Sequence, residues 1–240
     1  MENAPVITVV AYNIPPQEAE RYRQWVEESY YRISLSTPWV QGNDRYKIVN
    51  ESPDYPKAFY LQHYPNMDGL NTWEASPERA AIRKDQTVWH REVIWSGIYE
   101  MVKGFSNSLV ASKDEQTSLV DDASILHIEA FNITSENAEK YNTWFSDWGQ
   151  KVYIPILMKL PGIKAINCYR WTGRSREPEI KDPKYPRYVS LMYFESYRAY
   201  EIYKEGPELV ALRESIKWTF PGGLDYRWNI QYQLVKSWRK

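Results

Sequence analysis

The chain has 240 residues, with 30 Lys and Arg against 31 Asp and Glu, which gives a net charge of −1. This near-neutral balance is atypical of a domain that wraps a nucleic-acid backbone. The hydrophobic share of 43% is enough for a substantial core, and the single cysteine, Cys168, excludes an internal disulfide and a cysteine-based metal cluster. Aromatic residues make up 15% of the chain, and this high share needs an explanation.

Membrane and secretion signals are weak in this sequence. The longest apolar run, Val152–Met158, is interrupted by Pro155 and is far too short to span a bilayer. The first residues, Met1-Glu2-Asn3-Ala4-Pro5, lack the basic and apolar regions of a secretory signal. We therefore expect a cytoplasmic protein without a membrane partner.

The first half of the chain shows alternating strand and helix signals. Short β-branched or aromatic runs predict strands, and apolar residues at helical spacing predict helices after Pro15-Pro16 and around Ser76-Pro77. The predicted strands are Val6–Tyr12, Arg45–Val49, Ala58–Tyr64 and Ile94–Val102.

The second half repeats this order after a segment rich in Ser, Asp and Glu. That segment, Gly104–Ala123, predicts a linker. Helices are expected after Thr134-Ser135 and at Gly206-Pro207. The predicted strands are Ile125–Phe131, Ala165–Trp171, Tyr188–Phe194 and Tyr226–Val235. We thus predict a first repeat over residues 1–103, a linker over 104–123 and a second repeat over 124–240.

The two halves also match residue by residue. Ala11-Tyr12-Asn13-Ile14 recurs as Ala130-Phe131-Asn132-Ile133. Aromatic residues recur in pairs, namely Tyr22/Tyr141, Trp25/Trp144, Trp95/Trp228 and Tyr99/Tyr232. The match indicates an internal duplication and explains most of the aromatic residues as packing positions. The first two pairs are also candidate contacts for a substrate.

The predicted order in each half is strand, helix, strand, strand, helix, strand. This is the split β-α-β unit of ferredoxin-like folds, in which the helices cover one face of the sheet. Two such repeats in one chain can bury their bare faces against each other. We therefore predict an α+β protein in which two ferredoxin-like repeats pack sheet to sheet as an intramolecular pseudo-dimer, and we leave further oligomerisation open.

Several short motifs resemble those of the dimeric α+β-barrel superfamily. The segments at 11–14 and 130–133 are similar to the end of the first strand in antibiotic-biosynthesis-monooxygenase and haem-degrading members. Leu160-Pro161-Gly162-Ile163 and Tyr193-Phe194-Glu195-Ser196 resemble stress-responsive and EthD-type members. The resemblance covers nearly all of both repeats, and it supports the fold more than any activity.

Two asparagines at matching strand ends are candidate catalytic residues. Ile7, Val9, Ala11 and Asn13 share one face of the first strand, and their small side chains suit a face packed under helices. In that case Asn13 and its equivalent Asn132 point into the space between sheet and helices, where an amide can donate a hydrogen bond to an enolate-like oxygen. The alternative is that each asparagine forms a turn at the strand end.

Trp73 and Tyr203 occupy equivalent positions on the second helix of each repeat. By resemblance, Trp73 matches a pocket tryptophan of haem-degrading members and Tyr203 matches a catalytic tyrosine of a polyketide-cyclizing member. Core packing is the alternative for both. The axial histidine of haem-degrading members is replaced by Arg83 and Arg213. Since a guanidinium cannot ligate iron, we expect no cofactor.

Histidines offer few further candidates. His63 is a pocket candidate as a lone base, with Tyr193 as its counterpart in the second repeat, and a structural role is the alternative. His127 and Glu129 share a face, which we expect to lie away from the helices, where they would form a polar pair. With no third ligand evident, we predict no metal.

Our leading functional hypothesis is a cofactor-free enzyme that acts on a small apolar or aromatic metabolite by proton transfer. Cyclization, decarboxylation, dehydration and isomerization all fit, and the resemblance suggests secondary metabolism. An oxygenase, with or without haem, is one alternative, and a non-catalytic ligand-binding or stress-response protein is another. RNA binding is disfavoured, because the Lys/Arg-Gly-aromatic signature is missing and the bare sheet face is needed for the pseudo-dimer.

Overall fold

The order of strands and helices is the same in the two halves of the chain. The computed structural model describes residues 4–106, 124–176, 185–220 and 222–240. The strands are β1 Val6–Asn13, β2 Gly42–Ile48, β3 Ala58–Tyr64, β4 Glu92–Ser106, β5 Ile125–Ile133, β6 Ile163–Trp171, β7 Tyr188–Phe194 and β8 Leu224–Arg239. The helices are α1 Pro16–Trp25, α2 Tyr31–Ser36, α3 Met67–Ala75, α4 Pro77–Gln86, α5 Ala138–Trp144, α6 Ile154–Leu157, α7 Tyr197–Glu205 and α8 Pro207–Thr219. Of the predicted linker, residues 107–123 lie outside the described residues, and residues 104–106 are the end of β4.

The eight strands form one closed barrel in the order β1-β3-β2-β8-β5-β7-β6-β4. β1 pairs antiparallel with β3 and β4, and β5 pairs in the same way with β7 and β8. The predicted α+β class, with two ferredoxin-like repeats in an intramolecular barrel, is confirmed. Among the described residues, no helix is long and apolar enough to cross a membrane.

The chain divides into two compact units. The first unit contains Glu2–Met101, Trp171–Pro183 and Leu234–Lys240, and the second contains Val102–Arg170 and Lys184–Gln233. Each long final strand therefore contributes its end to the other unit. The repeat boundaries at residues 103 and 124 stay a prediction.

Proline and capping side chains explain where several helices begin. Pro16, Pro77 and Pro207 occupy first-turn positions, where the missing N–H of proline costs no hydrogen bond. The side chains of Asn66 and Ser196 accept hydrogen bonds from backbone N–H groups at the starts of α3 and α7.

A π-helical segment interrupts the first long helix of each half. It covers Val26–Tyr30 in the first unit and Phe145–Tyr153 in the second, and it begins directly after the paired Trp25 and Trp144. π-Helical turns are rare and frequently occur at functional sites. The longer segment in the second unit borders the cavity that is described below.

The helices cover the face of β1 opposite to the predicted one. Val6, Val10 and Tyr12 pack in a core with Tyr22 and Trp73 from the helices. Seven of the eight residues of β1 are buried, so both faces of the strand are covered. The size and polarity of the side chains therefore do not show which face lies under the helices. The predicted helix-facing set was therefore wrong.

The same correction applies to β5 in the second unit. The ring of His127 lies 5.5 Å from that of Tyr200 on α7, and Glu129 lines a space between the sheet and the helices. We predicted that this pair lies on the face away from the helices, and that was wrong. Both faces of β5 are rich in buried apolar residues, so alternation alone cannot orient the strand.

Candidate functional site

The second unit contains a cavity of about 80 Å3 between its sheet and its helices. Strands β5, β6 and β7 form the floor, and α5, α6, α8 and the second π-helical segment form the roof. Glu129 and Ser190 contribute polar groups from the sheet. Aromatic rings form most of the wall, namely Phe131, Tyr141, Trp144, Phe145, Tyr153, Phe220 and Tyr226.

Two small residues explain why this cavity exists. Glu129 pairs with Ser190 in the register that pairs Val10 with Tyr60 in the first unit, so Ser190 replaces a tyrosine. Gly149 lies five residues after Trp144, as the buried Tyr30 lies five residues after Trp25. The corresponding space in the first unit measures only about 30 Å3, because Tyr30 and Tyr60 both border it.

Glu129 places a carboxylate on the floor of the cavity. Its side chain is 24% exposed, and Tyr226 at the cavity wall is 54% exposed. The cavity therefore reaches solvent beside β8, and a ligand can enter without unfolding of the sheet. A carboxylate in a partly dry, aromatic setting is a suitable general base.

A buried histidine supports this carboxylate. Nε2 of His127 lies 3.4 Å from Oε1 of Glu129, and Nδ1 lies 2.9 Å from Nε2 of Gln231. An amide nitrogen can only donate, so Nδ1 accepts and the ring proton of the neutral imidazole is on Nε2, towards Glu129. The three side chains thus form a hydrogen-bonded chain that ends in the cavity.

Neighbouring hydroxyl and thiol groups remain protonated at neutral pH. Burial, and then the negative charge of Glu129, raise the pKa of Tyr153 well above its usual value. The same two causes raise the pKa of Tyr226 to about 12. Burial raises the pKa of Cys168 to about 11, although Ser190 lies 3.4 Å from its sulfur and opposes the shift. The site therefore combines one proton acceptor with neutral hydroxyl donors.

The structure brings some of the predicted binding residues to this cavity. Tyr141 and Trp144 line it, and Nε1 of Trp144 donates a hydrogen bond to Oγ1 of Thr219 at 3.2 Å. Their counterparts Tyr22 and Trp25 line the small space of the first unit instead.

Asn13 and Asn132 lie at strand ends and hold loops. The backbone N–H of Lys57 donates to Oδ1 of Asn13 at 2.9 Å, and the backbone N–H of Arg187 donates to Oδ1 of Asn132 at 2.8 Å. Each bond fixes the residue directly before the paired strand, β3 or β7. Neither asparagine lines the cavity of its unit.

His63 belongs to a buried ionic cluster on the face of β3 away from the helices. Its Nε2 lies 2.7 Å from Oδ2 of Asp44, which also accepts from Arg239 at 2.7 Å. Burial alone would raise the pKa of Asp44, but His63 and Arg239 together hold it well below its usual range. Tyr193 is buried on the corresponding face of β7, between Leu126 and Ala165.

Trp73 and Tyr203 are both buried in the packing between helices and sheet. Trp73 is fully buried in the core of the first unit. The hydroxyl of Tyr203 lies 3.8 Å from the sulfur of Met192, and its ring lies 5.0 Å from that of Phe194. Neither residue lines the cavity of its unit.

Sequence reasoning missed Glu129, Ser190 and Gly149 as the residues that create the site. A signal was present, because the duplication aligns Glu129 with Val10 and Gly149 with Tyr30. A charge in an otherwise apolar strand, at a position where the first copy is apolar, indicates a specialised second copy.

The described residues contain no group of three or more His, Cys, Asp or Glu side chains placed to hold a metal ion. A haem also does not fit the helix-covered space. A cavity of about 80 Å3 is well below the roughly 300 Å3 needed by a drug-sized ligand, and a haem is larger still. Both ring nitrogens of His127, the histidine nearest to the cavity, are engaged by Glu129 and Gln231.

Comparison with known proteins identifies the fold. No protein-family model and no curated protein sequence matches the chain. A candidate monooxygenase from Fusobacterium nucleatum subsp. nucleatum has a similar structure, with a TM-score of 0.67 and 10% identity over 100% of this chain and 96% of that one. An anthrone oxidase-like protein gives a TM-score of 0.59 and 13% identity over 99% and 94%.

A chlorite dismutase variant from Candidatus Nitrospira defluvii is also similar, with a TM-score of 0.56 and 12% identity over 97% of this chain and 92% of that one. At these identities the likeness shows the fold alone. The chain therefore shares an α+β-barrel fold with these proteins.

Proposed function

We propose that the chain is an enzyme that removes a proton from a small, neutral, aromatic or enolizable substrate in the cavity of the second unit. The observation that carries this proposal is the Glu129 carboxylate in a cavity lined largely by aromatic and aliphatic side chains, backed by His127. Cyclization, dehydration, decarboxylation and isomerization can each follow from such a step.

The cavity wall defines the kind of substrate. Seven aromatic residues line the cavity, and flat rings gain contact area and edge-to-face interactions against them. None of the described lining residues is Lys, Arg or His, and the carboxylate of Glu129 repels anions. The site therefore favours a neutral substrate over a carboxylate or phosphate ester.

The size of the cavity requires some movement on binding. Its volume of about 80 Å3 is roughly half of the 150 Å3 in an engineered cavity that holds benzene. A ring-sized substrate must therefore displace part of the wall. The exposed Tyr226 is the part that can turn outwards at the smallest cost in packing.

Glu129 accepts the proton in the proposed step. The substrate C–H or O–H bond breaks, its electron pair stays on the substrate, and the carboxylate takes the proton. The protonated hydroxyl of Tyr153 or Ser190 then donates a hydrogen bond to the developing oxyanion. His127 orients the carboxylate through the N–H at Nε2, so that one carboxylate oxygen faces the substrate.

Oxygenation is a second candidate, and the structural neighbours favour it. Proteins named as a candidate monooxygenase and as anthrone oxidase-like share this fold. A carbanion formed at Glu129 can react with O2, so that a CH2 group and O2 yield a carbonyl group and water. This reaction starts from the same proton transfer, and oxygen uptake distinguishes it.

Hydrogen exchange tests the shared step directly. Phenylacetone and a cyclic 1,3-diketone, each with a single ring, serve as probes, and NMR in D2O measures loss of their acidic C–H protons. We expect the protein to accelerate exchange, Glu129→Gln to reduce the acceleration by about 100-fold or more, and the exposed Glu139→Gln on α5 to leave it unchanged.

Equal acceleration by Glu129→Gln and the parent protein would refute the role of Glu129. Binding of both probes without any exchange would support the non-catalytic ligand carrier. Added haem should give no Soret shift. Tight haem binding would contradict the conclusion that the cavity is too small for haem.

A further inference from the structure

The first unit contains a small cavity of a different character. It measures about 30 Å3 and lies between β1, β3 and the first helix. A site for one water needs about 10–15 Å3 by a similar measure, so this space holds two waters or one small ion. Polar side chains contribute much of its lining.

Gln62 lines this cavity and carries a donor that has no hydrogen-bond partner. The residue is 3% exposed, and its Oε1 accepts hydrogen bonds from the hydroxyls of Tyr30, at 3.1 Å, and Tyr64, at 2.5 Å. Two hydroxyl donors at the oxygen determine the orientation of the amide. Its Nε2 is buried and has no hydrogen-bond partner. A buried donor in this state is unfavourable unless a ligand or water accepts from it.

Arginine side chains also line the same space. Arg176 is 7% exposed, and its Nη1 lies 3.4 Å from Oγ1 of Thr8. Its guanidinium also lies over the ring of Tyr30, 5.9 Å from the centroid. Arg91 is a further lining residue. None of the lining residues in the described part of the chain is Asp or Glu.

A second buried arginine adds positive charge nearby. Arg79 is 1% exposed and shares the carboxylate of Glu74 with Arg176, at 3.5 and 3.2 Å. Burial, and then the charge of Arg176, lower the pKa of Arg79 to about 10. Two guanidinium groups share the single carboxylate of Glu74, so these three side chains carry one net positive charge, which favours a negatively charged occupant.

We propose that this cavity is a binding site for a small monovalent anion of halide size, held by Gln62 Nε2 and the Arg176 guanidinium. The corresponding pair in the second unit is different, because His127 and Met192 stand where the first unit has Thr8 and Gln62. The anion site is therefore a property of the first unit, and it is independent of proton transfer at Glu129.

Thermal unfolding of the full chain tests the proposal. Chloride replaces isethionate, an anion too bulky for the cavity, at constant ionic strength. An anion that binds only the folded protein raises Tm with its concentration. We expect chloride to raise Tm by a few degrees in the parent protein and in Gln24→Leu, which alters an exposed glutamine on α1. The rise should be lost in Gln62→Leu.

The proposal would be overturned if chloride raised Tm equally in Gln62→Leu and the parent protein, or if it raised Tm in neither. If Gln62→Leu does not fold, bromide in crystals of the parent protein gives the answer. An anomalous peak beside Gln62 Nε2 supports the anion site, and a cavity that holds water alone refutes it.

Discussion

Nε2 of His127 lies 3.4 Å from Oε1 of Glu129, two residues further along the same strand. Alternate residues of a strand share a face, so the sequence alone brings these two side chains together. Their chemical role depends on which face that is. Because the helices cover that face, Glu129 lines an aromatic cavity with His127 behind it, and the pair does not form the polar seam that we predicted.

Replacement of His127 should impair turnover more than substrate binding. In His127→Phe the carboxylate of Glu129 loses the N–H that orients it, so we expect kcat for the exchange reaction to fall about tenfold with little change in KM. His127→Gln keeps a donor and should recover part of the loss. A rise in KM at constant kcat would assign His127 to substrate binding instead.

Ser190→Tyr should close the active cavity. The substitution places at Ser190 the residue type that occupies the register-equivalent position 60 in the first unit. We expect probe binding, measured by fluorescence titration, to be lost while the free energy of unfolding changes little. Ser190→Ala leaves the space open and should still bind. Retained binding in Ser190→Tyr would show that the ligand site lies elsewhere.

Tyr203→Phe should have little effect on activity or stability. The tyrosine hydroxyl lies 3.8 Å from a thioether sulfur, which is a weak acceptor, so its removal should change the free energy of unfolding by less than about 1 kcal/mol. Exchange kinetics and urea unfolding measure the two effects. A tenfold loss of turnover in the folded variant would restore Tyr203 as a catalytic candidate.

Asp44 should make the stability of the protein depend on pH in the acid range. Its folded-state pKa lies well below the unfolded value, so its stabilising effect is complete above the ordinary aspartate pKa and is lost as pH falls towards the folded value. Asp44→Asn leaves His63 and Arg239 without their charged partner and should destabilise the protein by on the order of 3 kcal/mol at neutral pH.

Urea unfolding between pH 3 and 7 measures both effects. The exposed pair of Glu51 and Lys57 supplies the control, since Glu51→Gln should change stability by less than about 1 kcal/mol. An acid dependence that is the same in Asp44→Asn and the parent protein would show that another carboxylate is responsible.

The fold was predictable because its signals are local and occur twice. These signals are the β-branched runs of the strands, the prolines at helix starts and the paired Trp25 and Trp144. Each depends on the local conformation of a few neighbouring residues, which is the same in both repeats. Two residues of the cavity wall, Tyr141 and Trp144, were among the predicted contacts because the duplication identified them. His63 was harder to interpret, because its partner Asp44 is also bound by Arg239, which comes from the far end of the chain.

The sequence by itself determined the duplication, the order of elements in each repeat and the adjacency of His127 and Glu129. Only the tertiary structure decided which faces of β1 and β5 lie under the helices, since both faces of each strand carry buried apolar residues. It also decided that the second repeat keeps a cavity between sheet and helices, whereas the equivalent space in the first repeat is nearly filled. The volume left between sheet and helices depends on which side chains meet there. Ser190 and Gly149 leave a cavity in the second unit, whereas Tyr60 and Tyr30 nearly fill the equivalent space in the first.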